Sequence, residues 1–492
     1  MPRVALVIGA GFSGLSTASL LRKQGWEVTL WERNAGLGGR ASLWESGGYR
    51  FDMGPSWYLM PEVFDRFFAQ FGTTVAQQYS LTKLSTQYKV FFEGLAPVTV
   101  TDSLADTKRL FESFEPGGAQ KLERFLAEAK YKYDTAMKGF LYKDYRSVFD
   151  FLNWTVLTKG PGLGLFSSLD KRVSHLFGDR RSRQILEYAM VFLGSSPSNA
   201  PSLYSLLSHV DLNLGVWFPQ GGMHGVAEAM AGLFTSLGGR IELNKDVAAF
   251  EFSGSKITGA VADDGSTVRA DLVVNTGDYA WGETTLLPAH LQSYSAAYWN
   301  SRTLAPSMFL VFLGVKKRLK SLEHHNLWFS ADWDDHFVKI FERPEWPSNP
   351  CFYLSAITKT DPSMAPPGCE NLFLLVPVAP GLEDGEAFRQ DYLKRVLAHV
   401  EAAIGETFQD EIEVVRVFTQ RDFIRDYHAW KGTGLGLSHT LFQTAVFRPA
   451  RRSRKVPNLF YSGQYTHPGV GVPMTLISSQ VTAEVIARSF IP

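Results

Sequence analysis

Near its start the chain runs from Val4-Ala5-Leu6-Val7-Ile8 straight into Gly9-Ala10-Gly11-Phe12-Ser13-Gly14, and few folds accommodate that junction. Five consecutive apolar residues have the character of a buried parallel strand, and Leu15 to Arg22 reads as a helix closed by Gly25. Between them, Gly9 permits a tight turn, Gly11 lets the backbone approach a pyrophosphate, and Gly14 lets helix and strand pack closely. The helix N-terminus is then aimed at phosphate. Glu27 to Trp31 reads as a second strand with Glu32 at its end, where a carboxylate accepts hydrogen bonds from an adenosine ribose. The other reading of Glu32 is a solvated strand-end carboxylate. A βαβ opening of this kind predicts a Rossmann-like parallel sheet.

The glycines also decide how the uncharged run Val4 to Leu21 is read. Its length could suit a signal peptide or a short span, but glycines at those offsets make it strand, turn and helix. With no second uncharged apolar run of spanning length, the chain is expected to be soluble or membrane-attached. Apolar residues at helical spacing in Leu122, Phe125, Leu126 and Ala129, and in Ile185, Leu186, Ala189 and Phe192, predict a helical insertion. The βαβ style returns with a helix through Met230 and Phe234, a strand around Ile241, a strand pair Val247 to Phe252 and Ile257 to Ala262, an Asp263-Asp264-Gly265 turn, and a strand Asp271 to Asn275. Phe388 to Ile404 reads as an amphipathic helix, and Asn458 to Arg488 as strand, Gly/Pro loop and helix. The expected architecture is α/β with interleaved domains. Residues 1–85, 223–290 and 440–492 form the dinucleotide domain, 86–111 and 291–439 a mixed-sheet substrate domain, and 112–222 the helical insertion.

A second glycine element follows Glu32. Gly38-Gly39 allows another close backbone approach, and Arg40 can offer its guanidinium to the pyrophosphate or form a surface ion pair. Asp52-Met53-Gly54-Pro55 comes next, after a short strand. GxGxxGL, then an acidic residue, then GGR resembles the start of the FAD-binding domain in the flavin amine oxidase and carotenoid desaturase superfamily. Two further stretches resemble bacterial-type phytoene desaturases. One is central, Ser195-Ser196-Pro197 through Ala200 to Leu207 and Gly215-Val216-Trp217-Phe218-Pro219-Gln220-Gly221-Gly222-Met223. The other is C-terminal, Asn458 to Gly463 and Thr466-His467-Pro468-Gly469-Val470-Gly471-Val472-Pro473.

The resemblance implies non-covalent FAD held by Gly9, Gly11, Gly14, Glu32, Arg33, Gly39, Arg40, Gly54 and Pro55. It further implies that Gly463, Gly471 and Val472 line the flavin side and that Val247 gives backbone contacts toward the adenine. The chain departs from the family pattern at Gln464-Tyr465 and at Ser478-Ser479-Gln480, both near the implied isoalloxazine.

A desaturase of this kind needs a long apolar channel, and the chain has 36 Phe, 18 Tyr and 12 Trp to build one or to fill its core. Trp217 and Phe218 are the channel candidates because they fall inside a family motif. A catalytic acid or base is not assigned. His467 is either near the flavin or bonds a turn, and Asp170 and Lys171, with Arg172, either face a polyene or form a solvated helix face. No zinc pattern or Ser/His/Asp set is present.

The implied activity is desaturation of phytoene or a related carotenoid intermediate, with hydride transfer from an allylic carbon to flavin, proton loss, and a quinone or oxygen as acceptor. A carotenoid isomerase, polyene saturase, amine oxidase or non-enzymatic prenyl-binding chaperone are the alternatives. A bilayer-dissolved substrate implies peripheral membrane attachment. Phe149 to Phe166 reads as an interfacial aromatic segment or as core, and Arg448, Arg451, Arg452, Arg454 and Lys455 as a basic run for anionic headgroups or as a solvated loop. Equal numbers of basic and acidic residues, 49 each, give no general attraction for nucleic acid. Cys351 and Cys369 read as ordinary thiols in a reducing cytoplasm.

Overall fold

A computed structural model describes residues 3–145, 162–165 and 167–490. The opening motif builds a five-stranded, all-parallel sheet in the order Leu459–Tyr461, Leu272–Asn275, Val4–Ile8, Glu27–Trp31, Arg240–Glu242. A parallel sheet must be covered on both faces. Helices Phe12–Lys23, Val472–Ser489 and Gly222–Ser236 cover one, packing Leu15, Ala18, Leu476, Ile477, Val226 and Met230 against Val7, Leu30 and Val274. A three-stranded antiparallel sheet, Val247–Ser253, Lys256–Ala262 and Thr267–Arg269, covers the other, meeting Leu6, Ile8 and Trp31 through Val247, Phe250 and Ile257.

The second body is a seven-stranded mixed sheet in the order Ile412–Phe418, Ser307–Val315, Glu370–Val378, Phe352–Ala356, His325–Phe329, Thr86–Phe92, Val98–Thr101. Its inner strands are near-continuous apolar runs because both faces are covered. Helix Glu386–Ile404 packs on one face through Tyr392, Val396 and Val400. Helices Leu104–Phe114, Gly118–Gly139, Leu169–Leu176 and Arg180–Glu187 lie over the other, with Phe111, Leu122 and Phe125 in the same core as Leu310, Phe312 and Phe373. The architecture is α/β: a Rossmann-like sheet, a separate mixed sheet and helical insertions.

Element boundaries differ from the sequence reading in informative ways. The first helix begins at Phe12, inside the glycine motif, because Gly11 is its N-cap and Ser13 and Gly14 already belong to its first turn. After Asp263-Asp264-Gly265 the chain first makes the short strand Thr267–Arg269 before Leu272–Asn275. Helix Arg180–Glu187 tightens into a 3-10 turn over Tyr188–Leu193, which ends at left-handed Gly194. Among the described residues, no helix is long and apolar enough to cross a membrane.

Candidate cofactor and substrate site

Where the first strand meets the first helix, a cavity of about 210 Å³ is lined by Gly9, Gly11, Glu32, Arg33, Gly39 and Arg40 and by the distant Val247, Gly463, Gly471 and Val472. Gly14 is not part of the lining, and its role is packing: an added Cβ would lie 1.7 Å from Gly9 O. A Cβ on Gly11 would meet nothing closer than 3.7 Å, so the space there is left for something other than protein. Gly54 lies behind Arg40, with its virtual Cβ 2.7 Å from Arg40 O.

Two helix N-termini converge on this cavity. Phe12–Lys23 starts at Gly11 and Val472–Ser489 at Gly471, and neither has a side-chain cap or an acidic residue in its first turn. Their free N–H groups and dipoles favour an electron-rich ligand. Arg40 adds a cation: its guanidinium lies over the Tyr427 ring (5.3 Å), and Nε and Nη2 are buried without a protein partner.

Glu32 is buried, and its carboxylate accepts from Ala10 N–H (2.7 Å), Asn34 N–H (2.9 Å) and Asn34 Nδ2 (2.9 Å). Burial pushes its carboxyl above the ordinary range while those hydrogen bonds act the other way. Arg33 pairs with Asp246 (3.2 Å), which also holds His428 Nε2 (2.9 Å), and the His428 ring is stacked on Trp281 at 3.8 Å and 6°. Asp246, Trp281, Tyr427 and His428 line the cavity and were not found from sequence, since they come from separated segments that no local motif links.

The two departures from the family pattern have structural consequences here. Tyr465 donates through its hydroxyl to buried Asp278 (2.5 Å), which also accepts from Trp281 N–H and Trp430 N–H. Ser478 Oγ accepts from Gly463 N–H (3.1 Å), tying the glycine turn to the last helix.

A second cavity, about 400 Å³ and almost wholly apolar, lies between the mixed sheet and the helices. Met308, Leu310, Leu327 and Phe329 come from the sheet and Tyr133, Ala136, Leu207 and Val210 from the helices. The two cavities share a wall of Arg40, Pro55, Leu435, Val470, Gly471 and Val472. Among the described residues, no carboxylate lines the apolar cavity, and two of its tyrosine hydroxyls are partnered from behind. Tyr353 hydroxyl meets Ser56 Oγ (2.9 Å) and His325 Nδ1 (2.6 Å), and Tyr188 hydroxyl donates to Asp211 (3.0 Å). Asp211 is buried, accepts also from Tyr88 hydroxyl (2.9 Å), and is pushed up to about 7 by burial.

His467 lines the apolar cavity. Its Nε2–H donates to Phe140 O (3.0 Å), and burial, then the Arg451 charge, hold the ring down to about 3, so it is neutral near pH 7. Asp170 and Lys171 are not brought to either cavity: they lie on helix Leu169–Leu176, with Lys171 exposed and Arg172 paired to Glu128. Trp217 and Phe218 line neither cavity, because their strand pairs with Leu81–Lys83 and Phe218 packs on His324.

The basic run is corrected as well. Arg448 and Arg451 are buried, the first donating to Gln464 O and Leu437 O, the second to Ser478 O and His467 O while pairing with Asp144 (3.4 Å). Arg452 caps Pro457 O, Arg454 lies over Tyr294 and Lys455 donates to His290 O. Spacing alone could not separate internal carbonyl-binding arginines from surface ones. Of the aromatic segment Phe149 to Phe166, only 162–165 lies within the described residues, and Leu163 and Leu165 line the apolar cavity.

Residues 12–487 match the flavin-containing amine oxidoreductase family. The chain is 44% identical to a carotenoid 3,4-desaturase of Haloarcula japonica, over 98% of this chain and 97% of that one. It is 32% identical to a phytoene desaturase of Neurospora crassa, over 100% and 86%. A crystal structure of an oxidoreductase from Methanosarcina mazei superposes with a TM-score of 0.66 at 16% identity, covering 98% of this chain and all of that one, which is a likeness of fold.

Proposed function

The chain belongs to the carotenoid desaturase family of the flavin-containing amine oxidoreductases, which are FAD-dependent, and from that premise we propose that it desaturates a carotenoid-type polyene. The observation that carries the reading is the shared wall: a cavity with backbone amides and an unpartnered arginine meets an almost wholly apolar one across Arg40, Pro55, Leu435 and Val470 to Val472.

The residues present fit FAD. Gly9, Gly11 and the Phe12 helix N-terminus would receive the pyrophosphate with Arg40, and Glu32 the ribose. Arg33, Asp246 and Val247 would flank the adenine, and Gly463, Gly471 and the Val472 helix N-terminus the ring system. Bound there, FAD supplies a hydride acceptor beside the apolar cavity. The chain's own contribution is positional. Leu435, Val470 and Val472 of the shared wall give the polyene an apolar surface to lie against, the apolar lining excludes water, and Gly54 backs Arg40, whose guanidinium lies over the Tyr427 ring. An ammonium substrate would find no carboxylate among the described lining residues, which weighs against amine oxidation.

Phytoene and a carotenoid with a saturated 3,4 bond are the substrates to compare. The FAD-loaded protein, with either dissolved in liposomes and a quinone or oxygen as acceptor, should shift polyene absorbance to longer wavelength as conjugation extends. Isomerisation without lengthened conjugation, or reduction of the flavin by an amine instead, would refute the desaturase reading and leave fold and cofactor untouched.

A further inference from the structure

Arg448 is a buried cation without a counter-ion. Arg451, three positions on, is buried too but pairs with Asp144 (3.4 Å), whereas among the described residues no carboxylate reaches ion-pair distance of Arg448. The ionisable side chains facing it are Tyr204, Tyr298 and Tyr465, each kept neutral by burial. Burial pulls the guanidinium down to about 10, which leaves it charged at pH 7. Its Nε has no protein partner. A buried charge of this kind is costly, and the backbone carbonyls it binds would be satisfied equally by a neutral amide donor, so the fold itself makes no use of the charge.

Its position shows where the charge acts. Nη1 donates to Gln464 O (2.8 Å) and Tyr465 O (3.4 Å), and Gln464 lines the glycine-lined cavity. A Cβ added to Gly469 would lie 2.9 Å from Arg448 Cζ, and the next two residues, Val470 and Gly471, belong to the wall shared by both cavities. One thickness of backbone therefore separates the cation from the place where the cavities meet. The uncapped N-terminus of helix Val472–Ser489 adds its own positive dipole to the same wall. On the side of the apolar cavity stands His439, held down to about 3 by burial and then by the Arg448 charge, so its ring is neutral. A neutral imidazole has one N–H, and the shorter contact, Nδ1 to Leu193 O (2.9 Å), takes it; Nε2 then accepts from Arg448 Nη2 (3.1 Å) and adds no negative charge.

We propose that Arg448 supplies, from behind the 463–471 loop, the positive potential with which this site holds the negative charge that a bound flavin ring gains on accepting a hydride. The proposal rests on the FAD reading of the glycine-lined cavity. Two electrons and one proton arrive as hydride from the allylic carbon, the second proton leaves the neighbouring carbon for solvent as the double bond forms, and the quinone or oxygen later takes the two electrons. Only the ring changes charge on the cofactor side, so a fixed cation nearby favours reduced FAD over oxidised FAD. Arg448 is a positioning residue in this step: it places charge through the loop and touches no polyene.

The test is an anaerobic reductive titration of the full-length, FAD-loaded protein at pH 7 against a reference dye. Arg448→Gln keeps neutral donors for the carbonyls and removes the charge. Its two-electron potential should fall by about 30 mV or more, a tenfold loss of preference for reduced over oxidised FAD, while oxidised FAD binds within about threefold of wild type. Sulfite, which adds to the oxidised ring as an anion, should bleach the variant with an affinity lowered by a similar factor. An unchanged potential overturns the proposal: if FAD affinity then falls equally for both redox forms, Arg448 is a structural tie of the loop. Should the variant not fold, wild type decides, because its potential must lie above that of free FAD, and a value at or below it overturns the proposal. No polyene enters the measurement, so the expected shift in a protein that desaturates none would refute the functional reading alone, whereas a chain that takes up no FAD refutes the cofactor reading and this proposal with it.

Discussion

Replacing Asp211 by Asn makes the stability of this protein depend less on pH, and the size of the change follows from the carboxyl's surroundings. Asp211 lies behind Tyr188, a lining residue of the apolar cavity, and its two tyrosine hydrogen bonds do not offset the loss of water: the carboxyl rises from 3.8 to about 7. Below the unfolded value both states are protonated and burial carries no ionic penalty. Between about pH 4 and pH 7 the unfolded chain releases the proton and the folded one keeps it, so stability falls as pH rises. Above about pH 7 both are ionised and the penalty is constant. A shift of about three units corresponds to about 4 kcal/mol at the plateau. Asn keeps an oxygen to accept from the two tyrosines and adds a pH-independent offset where Oδ1 lacked a partner. Denaturant or thermal unfolding of wild type and Asp211→Asn should give curves whose separation, in favour of Asn, widens from pH 4 to 7 and then stops widening. Asp52 and Glu187, also raised by burial, are present in both proteins and cancel in the difference. Parallel curves from pH 4 to 8 would refute the assignment of a buried, ionisable Asp211.

Arg40→Ala should weaken FAD binding by about 1.5–3 kcal/mol, the range for hydrogen bonds to a charged group, read by flavin titration of refolded apoprotein; equal affinities would remove Arg40 from the pyrophosphate. Gly14→Ala should abolish flavin retention because its Cβ falls 1.7 Å from Gly9 O, whereas Gly36→Ala, with nothing within 4 Å, should purify as yellow as wild type. Arg451→Met should destabilise the fold by about 3–5 kcal/mol in equilibrium unfolding, since it removes the donor to buried carbonyls and breaks the ion pair with Asp144; an unchanged transition would return Arg451 to the surface.

The glycine motif was legible because each of its residues answers a local constraint. Gly9 adopts a φ of 99° and Gly14 has a carbonyl where a Cβ would be, and both requirements are written into six consecutive positions. The strand that follows has the same quality: Glu27–Trp31 has the bounds read from sequence, since β-branched and bulky Val28, Thr29, Leu30 and Trp31 are buried in succession and acidic Glu32 closes the run. What escaped is what long-range packing decides. Arg448 and Arg451 share a basic stretch with Arg452, Arg454 and Lys455, and a run of like charges in sequence looks like a solvated surface. Only the third dimension turns two of them inward to bind carbonyls of the 464–478 loop and helix.

Trp217 and Phe218 fail for a related reason. A motif records that a segment belongs to a family, and it does not say whether an aromatic ring in it faces substrate or core. Here the Trp217–Pro219 strand is tied to Tyr58 and Leu81–Lys83, and the apolar cavity is walled by residues such as Leu310, Val210 and Leu435 that carry no motif. A hydrophobic substrate asks only for apolar surface of the right shape, and apolar surface is what every core position also supplies. Its binding residues are therefore chemically indistinguishable from core in sequence, whereas a pyrophosphate demands glycines, helix termini and an arginine at set positions. The glycine-lined half proposed for FAD is thus readable from the chain, and the apolar half proposed for the polyene becomes visible only where the mixed sheet and the helices fail to close against each other.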